Sequence, residues 1–240
     1  MIGRAIGQSS WLRASALLLF GALAACSSKG DTTGERLGPL LQDTLLGGPI
    51  FSDPEPAPKP RVFTRAELNE IPFATVAVRD DNDNRVFVVP LADNGGYVVY
   101  QDAGRRGFAM RGGLIVSTQG LNYNLAAVRH AIEDPIATPT PVANWPKSVY
   151  RSYQFRLRSE KDFAITTSCS FSAGVPERIE IVELFFNTLR IEETCSNTVR
   201  SFQNVYWADP NTGFIWRSEQ WVGPKNDLFK TEIIRPYSAG

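Results

Sequence analysis

Short segments in which apolar and polar residues alternate, separated by turn-forming residues, recur through most of this chain and restrict what it can fold into. In the segment 148–157, Val149 and Phe155 fall on one face, and Ser152 and Gln154 on the other. This period of two is typical of a half-buried strand. Comparable segments span residues 73–79, 85–90, 97–100, 114–118, 163–171, 178–186, 199–207, 214–222 and 229–234. We therefore expect a mainly β protein of about ten or more antiparallel strands, folded as a β-sandwich or a curled half-barrel.

One or two short helices are expected beside these strands. Thr64 and Glu67 have the spacing of a capping box, which predicts a helix that begins after Thr64. Residues 124–133 predict a second helix, because three of their apolar side chains share one helical face: Leu125, Val128 and Ile132. The segment 134–146 contains four prolines and is expected to be a loop.

The N-terminus predicts export. Residues 1–25 carry Arg4 and Arg13, an apolar stretch and small residues at the end, which is the order of parts in a signal peptide. The apolar stretch from Ala14 to Ala25 has 12 residues, whereas a membrane-spanning helix needs roughly 20. No other segment approaches that length, so a permanent transmembrane anchor is not expected.

The end of this signal resembles the lipobox of bacterial lipoproteins. It reads Leu23-Ala24-Ala25-Cys26. In a lipobox the cysteine is alkylated with diacylglycerol and the chain is cut before it, so acyl groups such as palmitate on Cys26 would hold the mature protein in a lipid bilayer. Ser27, in place of Asp, favours the outer membrane, with the domain facing the periplasm. The alternative is an incidental thiol in an ordinary cleavable signal.

The mature chain divides into a tether and a domain. Residues 26–60 begin with polar residues and end in a segment with proline at positions 54, 56, 58 and 60, which favours an extended polyproline form. A leucine-bearing piece lies between these parts; it is either a short helix that docks on the domain or is left disordered, or a helix that binds a partner. Residues 61–240 are expected to form a single β-rich domain.

The cysteine and histidine counts limit the chemistry. Three cysteines and one histidine are too few for a zinc ribbon or an iron–sulfur cluster, so we expect no metal and no cofactor. Once Cys26 is lipidated, Cys169 and Cys195 remain as one pair in an oxidising compartment, and a disulfide is expected. A redox role is disfavoured because the chain has no Cys-x-x-Cys motif.

Several functional classes are disfavoured on similar grounds. The 25 basic and 25 acidic residues balance, and no basic stripe is present, so no nucleic-acid partner is expected. His130 is the sole histidine, and the chain lacks a nucleophile elbow, a Walker motif and a dinucleotide-binding glycine pattern. We therefore name no catalytic residues and expect a protein that is not an enzyme. A pair of carboxylates in a cleft, as in glycosidases, stays open because that partnership is spatial.

An aromatic hairpin is the one candidate binding feature. It contains Tyr206, Trp207, Trp216, Arg217 and Trp221, on two strands joined by a turn. Aromatic faces suit sugar rings, partner proteins and core packing alike. A shift of one residue in register reverses the face of each side chain, so core and glycan- or partner-binding surface both stay open.

Several segments follow one another along the chain: the lipobox cysteine, the proline-rich tether, residues 115–121, the two spaced cysteines, residues 204–209 and 212–220 with the tryptophan-bearing hairpin, and Ile234-Arg235-Pro236. Together they resemble the YjbF/GfcB (YmcC-like) family of outer-membrane lipoproteins. The resemblance implies a role in group 4 capsule and exopolysaccharide production, with outer-membrane and periplasmic secretion proteins as partners and polysaccharide as a further candidate.

We therefore expect an accessory or assembly factor for polysaccharide secretion. The first alternative is a periplasmic carrier or chaperone for lipid or glycan, which needs an open concavity between the sheets. The second is a polysaccharide-modifying enzyme that uses carboxylates facing each other in a cleft.

Overall fold

The computed structural model describes residues 62–79, 85–102, 105–121, 123–156, 162–224, 226 and 228–238. Cys26, the predicted tether and residues 80–84 lie outside these residues. The described part contains an α-helix, α1 (Arg65–Asn69), a 3-10 helix (Val142–Asn144) and thirteen strands. The strands are β1 (Thr75–Arg79), β2 (Arg85–Asp93), β3 (Tyr97–Gln101), β4 (Gly107–Arg111), β5 (Leu114–Gln119), β6 (Asn124–His130), β7 (Ser148–Arg156), β8 (Phe163–Phe171), β9 (Val175–Ile181), β10 (Leu184–Ser196), β11 (Ser201–Ala208), β12 (Ile215–Gln220) and β13 (Phe229–Arg235).

The strands form one antiparallel sheet that is nearly closed into a barrel-like shape. Across the sheet the order is β5-β4-β3-β2-β1-β13-β12-β11-β10-β8-β7-β6, and β9 pairs with the first part of β10 beside this path. The two end strands, β5 and β6, are successive in the chain. The prediction of a mainly β fold with more than ten strands is confirmed, and of the two architectures expected the curled, barrel-like one is present.

Side chains bind the backbone of β5 and of β6 at the seam between these strands. Gln220, at the end of β12, accepts a hydrogen bond from the Ile115 backbone N–H at 3.1 Å and donates one to the Gly113 carbonyl at 2.8 Å. Its amide thus pairs with the β5 backbone as a neighbouring strand would. Thr118 Oγ1 accepts a hydrogen bond from the Leu125 backbone N–H at 2.9 Å. The hydrogen bond between Thr118 and Leu125 joins the two end strands, although no ladder links them among the described residues.

The inner face of the curled sheet is filled by apolar side chains. The alternation seen in segment 148–157 turns Val149, Tyr153 and Phe155 inward, and each is 4% exposed or less. The main core includes Tyr100, Phe108, Met110, Leu114, Ile115, Leu125, Ile136, Ile191, Tyr206, Ile215 and Val222. Burial of this apolar area is the principal source of stability, at roughly 25 cal/mol per Å².

A second apolar cluster lies on the other face of the sheet, beneath the β9–β10 hairpin and α1. Its buried members are Leu68, Ala77, Ile179, Ile181, Trp207 and Ile234. Arg65 of α1 holds the hairpin turn, because its guanidinium donates to the carbonyls of Ile181, Val182 and Ile234 at 2.7, 3.0 and 3.2 Å. The predicted capping box of α1 is present, with Thr64 and Glu67 each accepting from the other's backbone N–H.

Two sequence predictions were wrong. Residues 124–133, predicted to be a helix, contain strand β6 (Asn124–His130), which pairs with β7. A bulge between Leu125 and Ala127 breaks the alternation, so Leu125 and Val128 both face the core at a spacing that also fits a helix. Ile132 lies beyond the strand and is 85% exposed.

The second error concerns the segment 178–186, predicted to be one strand. In the structure β9 ends at Ile181, Val182 and Glu183 form a turn, and β10 begins at Leu184. Val182 and Glu183 have φ angles of 42° and 65°, values that normally call for glycine or asparagine. The sequence has valine and glutamate at these two positions, so nothing in it signals a turn.

The predicted disulfide between Cys169 and Cys195 is present. The two residues are direct partners across the β8–β10 ladder, and both side chains are fully buried. In the chain-entropy approximation, closing a loop of this length stabilises the fold by about 3.5 kcal/mol. The bond therefore links the neighbouring strands β8 and β10.

Candidate functional site

The most highly charged group in the interior is centred on Arg151 of β7. Arg151 Nε and Nη2 donate to the two carboxylate oxygens of Asp134 at 2.6 and 2.9 Å, and Nη1 donates to Glu193 Oε2 at 2.8 Å. The same Glu193 oxygen accepts from Asn204 Nδ2 at 2.7 Å and from the Tyr206 hydroxyl at 2.9 Å. These five residues join β7, β10, β11 and the loop after β6 in one network, which we call the Arg151 network.

The Arg151 network is sealed from solvent. The side chains of Arg151, Asp134 and Glu193 are 0% exposed. Burial by itself would lower the pKa of Arg151, but the Glu193 carboxylate and the Asp134 hydrogen bonds more than offset it, so this pKa lies above its ordinary value. Burial, reinforced by the negative charge of Glu193, raises the pKa of Tyr206. The network therefore holds charges that pair with one another, and the hydroxyl of Tyr206 stays protonated.

This burial decides what the network can do chemically. Asp134 and Glu193 are two carboxylates near each other, as the enzyme alternative requires, yet both bind Arg151 and no polysaccharide can reach them. Cys169, Glu193 and Cys195 have ligand atoms within 4.8 Å of one another, but both sulfurs are consumed in the disulfide and offer no thiolate for a metal. The network supports a structural role in joining strands.

The structure divides the predicted aromatic hairpin between the two faces of the sheet. Tyr206 is 0% exposed and belongs to the main core, whereas the next residue, Trp207, is 7% exposed and belongs to the second cluster. In the ladder Trp207 lies opposite Arg217, whose guanidinium carbon is 5.5 Å from the Trp207 ring centroid. Tyr206 and Trp207 are thus occupied by core contacts.

The other three residues of that hairpin are partly exposed. Trp216 is at a bulge in the β11–β12 ladder and stacks on Phe186 at 4.0 Å between ring centroids. Trp221 stacks on Phe202 at 4.1 Å. The structure does not bring the predicted residues together on one surface, and a binding role for Trp216, Arg217 or Trp221 stays a prediction.

Arg217 instead belongs to an arginine cluster that sequence reasoning missed. The carboxylate of Glu232, 0% exposed, accepts from Arg79 Nη1, Arg85 Nε and Arg217 Nε, each at 2.9 Å. Arg217 Nη2 also donates to the Glu180 carbonyl at 2.7 Å. The cluster links β1, β2, β12 and β13 with the β9–β10 hairpin, and only the sheet order brings these residues together.

The cavities bear on the carrier alternative. The interior that a lipid carrier would keep open is filled, in the described residues, by the main core. A cavity of about 270 Å³ is lined by apolar residues such as Val86, Phe108 and Phe229, and it is smaller than the roughly 300 Å³ at which ligand pockets begin. A groove of about 560 Å³ lies at the β5–β6 seam, with a mixed polar and apolar lining.

The fold and these features define a mainly β protein. Its buried charges join strands, and the space open to a ligand lies at its surface. No helix in the described ranges is long and apolar enough to cross a membrane.

Residues 40–234 match the family model for "Group 4 capsule polysaccharide lipoprotein gfcB, YjbF". The match covers most of the chain, and the protein belongs to this family, as the sequence resemblance indicated. Membership identifies it as a capsule polysaccharide lipoprotein, and thus as a lipid-anchored protein of the cell envelope.

Two relatives agree with this assignment. The chain is 24% identical over 167 residues to the uncharacterized lipoprotein GfcB of Escherichia coli (strain K12), a match that covers 65% of this chain and 73% of that protein. The crystal structure of the hypothetical lipoprotein YmcC from Escherichia coli (K12) is similar with a TM-score of 0.62 and 17% identity, covering 89% of this chain and 100% of that chain. At that identity the structural likeness shows the fold alone.

Proposed function

We propose that the protein is an accessory or assembly factor for the secretion of capsule polysaccharide. Lipidated Cys26 holds it in the outer membrane, and the β domain faces the periplasm. The observation that carries this proposal is the family match over residues 40–234. The lipobox and Ser27 support the anchoring and the choice of membrane.

A role without catalysis is supported by how the protein uses its polar groups. The carboxylates of Asp134, Glu193 and Glu232 are all 0% exposed and are bound by arginines. A glycosidase needs its two carboxylates at an open cleft with a separation that admits sugar or water. These charges instead stabilise the sheet, which leaves the surface as the part of the molecule that contacts partners.

Protein contacts are supported by the β9–β10 hairpin. At its tip Leu184 is 44% exposed and Phe185 is 56% exposed. The guanidinium carbon of Arg178 lies 4.2 Å from the centroid of the Phe185 ring. Aromatic residues and arginine are enriched at the centres of protein interfaces, so we take this tip as the first surface to test.

The test is affinity capture of the full-length lipidated protein from membranes, with mass spectrometry of what is retained. We expect enrichment of outer-membrane and periplasmic components of polysaccharide secretion over a control that carries only residues 1–60 fused to the same tag. Phe185→Ser is expected to reduce this enrichment, whereas Val199→Ser, at a residue 90% exposed elsewhere on the surface, is not. Retention of no secretion component by the wild-type protein would refute the proposed function.

Localisation has its own measurement. On density-gradient separation of membranes we expect the wild-type protein in the outer-membrane fraction and Cys26→Ser in the soluble or inner-membrane fractions. Protection of the wild-type domain from protease added to intact cells, and its digestion after the outer membrane is opened, would support the periplasmic orientation. Digestion in intact cells would contradict it.

A further inference from the structure

The groove at the β5–β6 seam, called here the seam groove, is a binding space to which no role has been assigned. Its volume of about 560 Å³ falls within the range of roughly 300–1,000 Å³ typical of ligand sites. Its lining includes Gln101, Gly107, Ser117, Gln119, Asn124 and Arg156. They come from strands β3 to β7, so the groove is part of the sheet and is held by its ladders.

Small side chains create the space in the groove. Gly107, Ala109, Ser117 and Ala126 contribute at most two side-chain heavy atoms each. A Cβ added at Gly107 would lie 2.6 Å from the Tyr100 carbonyl oxygen, so a larger residue at this position would disturb the β3–β4 backbone. The aromatic rings of Tyr100 and Phe108 are turned into the core, and both residues are 4% exposed.

The more exposed lining residues carry polar groups that can bind a ligand. The side-chain amides of Gln101 and Gln119 make no hydrogen bond within the described ranges of the chain. Asn124 Oδ1 accepts from the Leu121 backbone N–H at 3.0 Å, and its amide nitrogen is free to donate among those same residues. Arg156 Nε is 3.7 Å from Asp162 Oδ2, with a side chain 78% exposed, so this guanidinium too can bind a ligand.

These groups point to one class of ligand. A side-chain amide offers two donors and a two-lone-pair acceptor, which pair with hydroxyl groups that both donate and accept. Among the lining residues that the structure describes there is no carboxylate and Arg156 is the single charged residue, so its guanidinium can pair with an acidic group on a sugar chain. An acyl chain would leave the amides unpaired at a cost, which disfavours a lipid.

We propose that the seam groove binds a segment of the secreted polysaccharide through hydrogen bonds from Gln101, Gln119, Asn124 and Arg156. The nature of the glycan rests on the proposed function, whereas the site rests on the groove itself. A rigid groove built on strands would hold the polysaccharide at a defined position on the periplasmic domain while other proteins move the polysaccharide outward.

The test measures binding to the full-length protein in detergent by isothermal titration calorimetry. The probe is surface polysaccharide purified from the producing strain, cut by partial acid hydrolysis and separated by size. Loss of two neutral hydrogen bonds in Gln101→Ala/Gln119→Ala is expected to raise Kd about 30-fold. Ala126→Trp, at an exposed residue, is expected to narrow the groove and weaken binding similarly. Gln203→Ala, at an exposed glutamine on β11, is the matched control and should leave Kd unchanged.

Several outcomes would overturn this inference: wild-type protein that binds no fragment, a Kd unchanged in both groove variants, or displacement of the fragments by an unrelated extended peptide. Circular dichroism and the thermal midpoint of each variant confirm that it is folded. If secretion components are still captured while no fragment binds, the seam-groove proposal alone fails. If capture also fails, the proposed function falls with it.

Discussion

The Arg151 network makes a strong prediction about stability. Arg151→Met removes the only cation among three fully buried charged side chains. Asp134 would keep one hydrogen bond, from the Ile136 backbone N–H at 3.1 Å, and Glu193 would keep those from Asn204 and Tyr206. Removing one partner of a buried ion pair typically costs about 3–5 kcal/mol, so we expect the free energy of unfolding to fall by that amount.

This loss of stability arises because two buried carboxylates are left without a cation, and a second variant tests that cause. Asp134→Asn/Arg151→Met/Glu193→Gln removes all three charges while keeping similar shapes. Replacing a whole buried ion pair is often neutral or even stabilising. We therefore expect the triple variant to regain at least half of the stability that Arg151→Met loses.

The assay is equilibrium urea unfolding of the oxidised protein, followed by tryptophan fluorescence, because urea does not screen charges as guanidinium salts do. Arg156→Met on the same strand is the control. Its side chain is 78% exposed, and we expect a change of no more than about 0.5 kcal/mol. If Arg151→Met costs no more than this control, or the triple variant costs as much as the single one, the reasoning is refuted.

Three further predictions concern the disulfide, the β9–β10 turn and a buried tyrosine. Cys169→Ala/Cys195→Ala should lose about 3.5 kcal/mol of unfolding free energy, and a loss below about 1 kcal/mol in urea titration would contradict the structural role of the bond. Val182→Asn/Glu183→Gly places residues suited to positive φ in the turn and should raise the thermal midpoint by about 2–4 °C; a lower midpoint would argue against backbone strain there. Burial raises the pKa of Tyr153 to about 12 from an ordinary 10.0. The folded state therefore favours the protonated hydroxyl, and the stability that this adds is complete below pH 10 and is lost as the pH rises to 12. Tyr153→Phe should flatten that alkaline loss in urea titrations, and an unchanged slope would count against the shift.

Much of the fold was predictable because the residues that form it act locally. Tyr153 and Phe155 alternate with polar neighbours over a full strand, and Thr64 with Glu67 specifies the start of α1. The disulfide was predictable too, because the predicted lipidation of Cys26 leaves a single pair of cysteines. In each case the physical signal lies within a short segment or in a simple count.

The errors came where tertiary contacts override a local pattern. Leu125 and Val128 sit at a helical spacing, yet pairing with β7 and one bulge make the segment a strand. Val182 and Glu183 carry no turn signal, and the turn is held from outside by Arg65, which binds the carbonyls of Ile181 and Val182. No inspection of residues 178–186 alone could have shown this.

The candidate sites were less predictable than the fold. Whether Trp207 faces a partner or the core depends on register and on the hairpin that covers it, and both are properties of the folded sheet. The seam groove depends on small and amide residues such as Gly107 and Gln119, which have no distinctive pattern in sequence. It exists because the curled sheet brings its two end strands together.

The central claim is that this lipoprotein assists the secretion of capsule polysaccharide. It is tested most directly by deleting the gene for this protein in the producing strain and measuring the amount of surface polysaccharide per cell. The comparison is the same strain carrying the wild-type protein. We predict that surface polysaccharide falls on deletion and is restored by the wild-type protein. An amount that does not change on deletion would contradict the account.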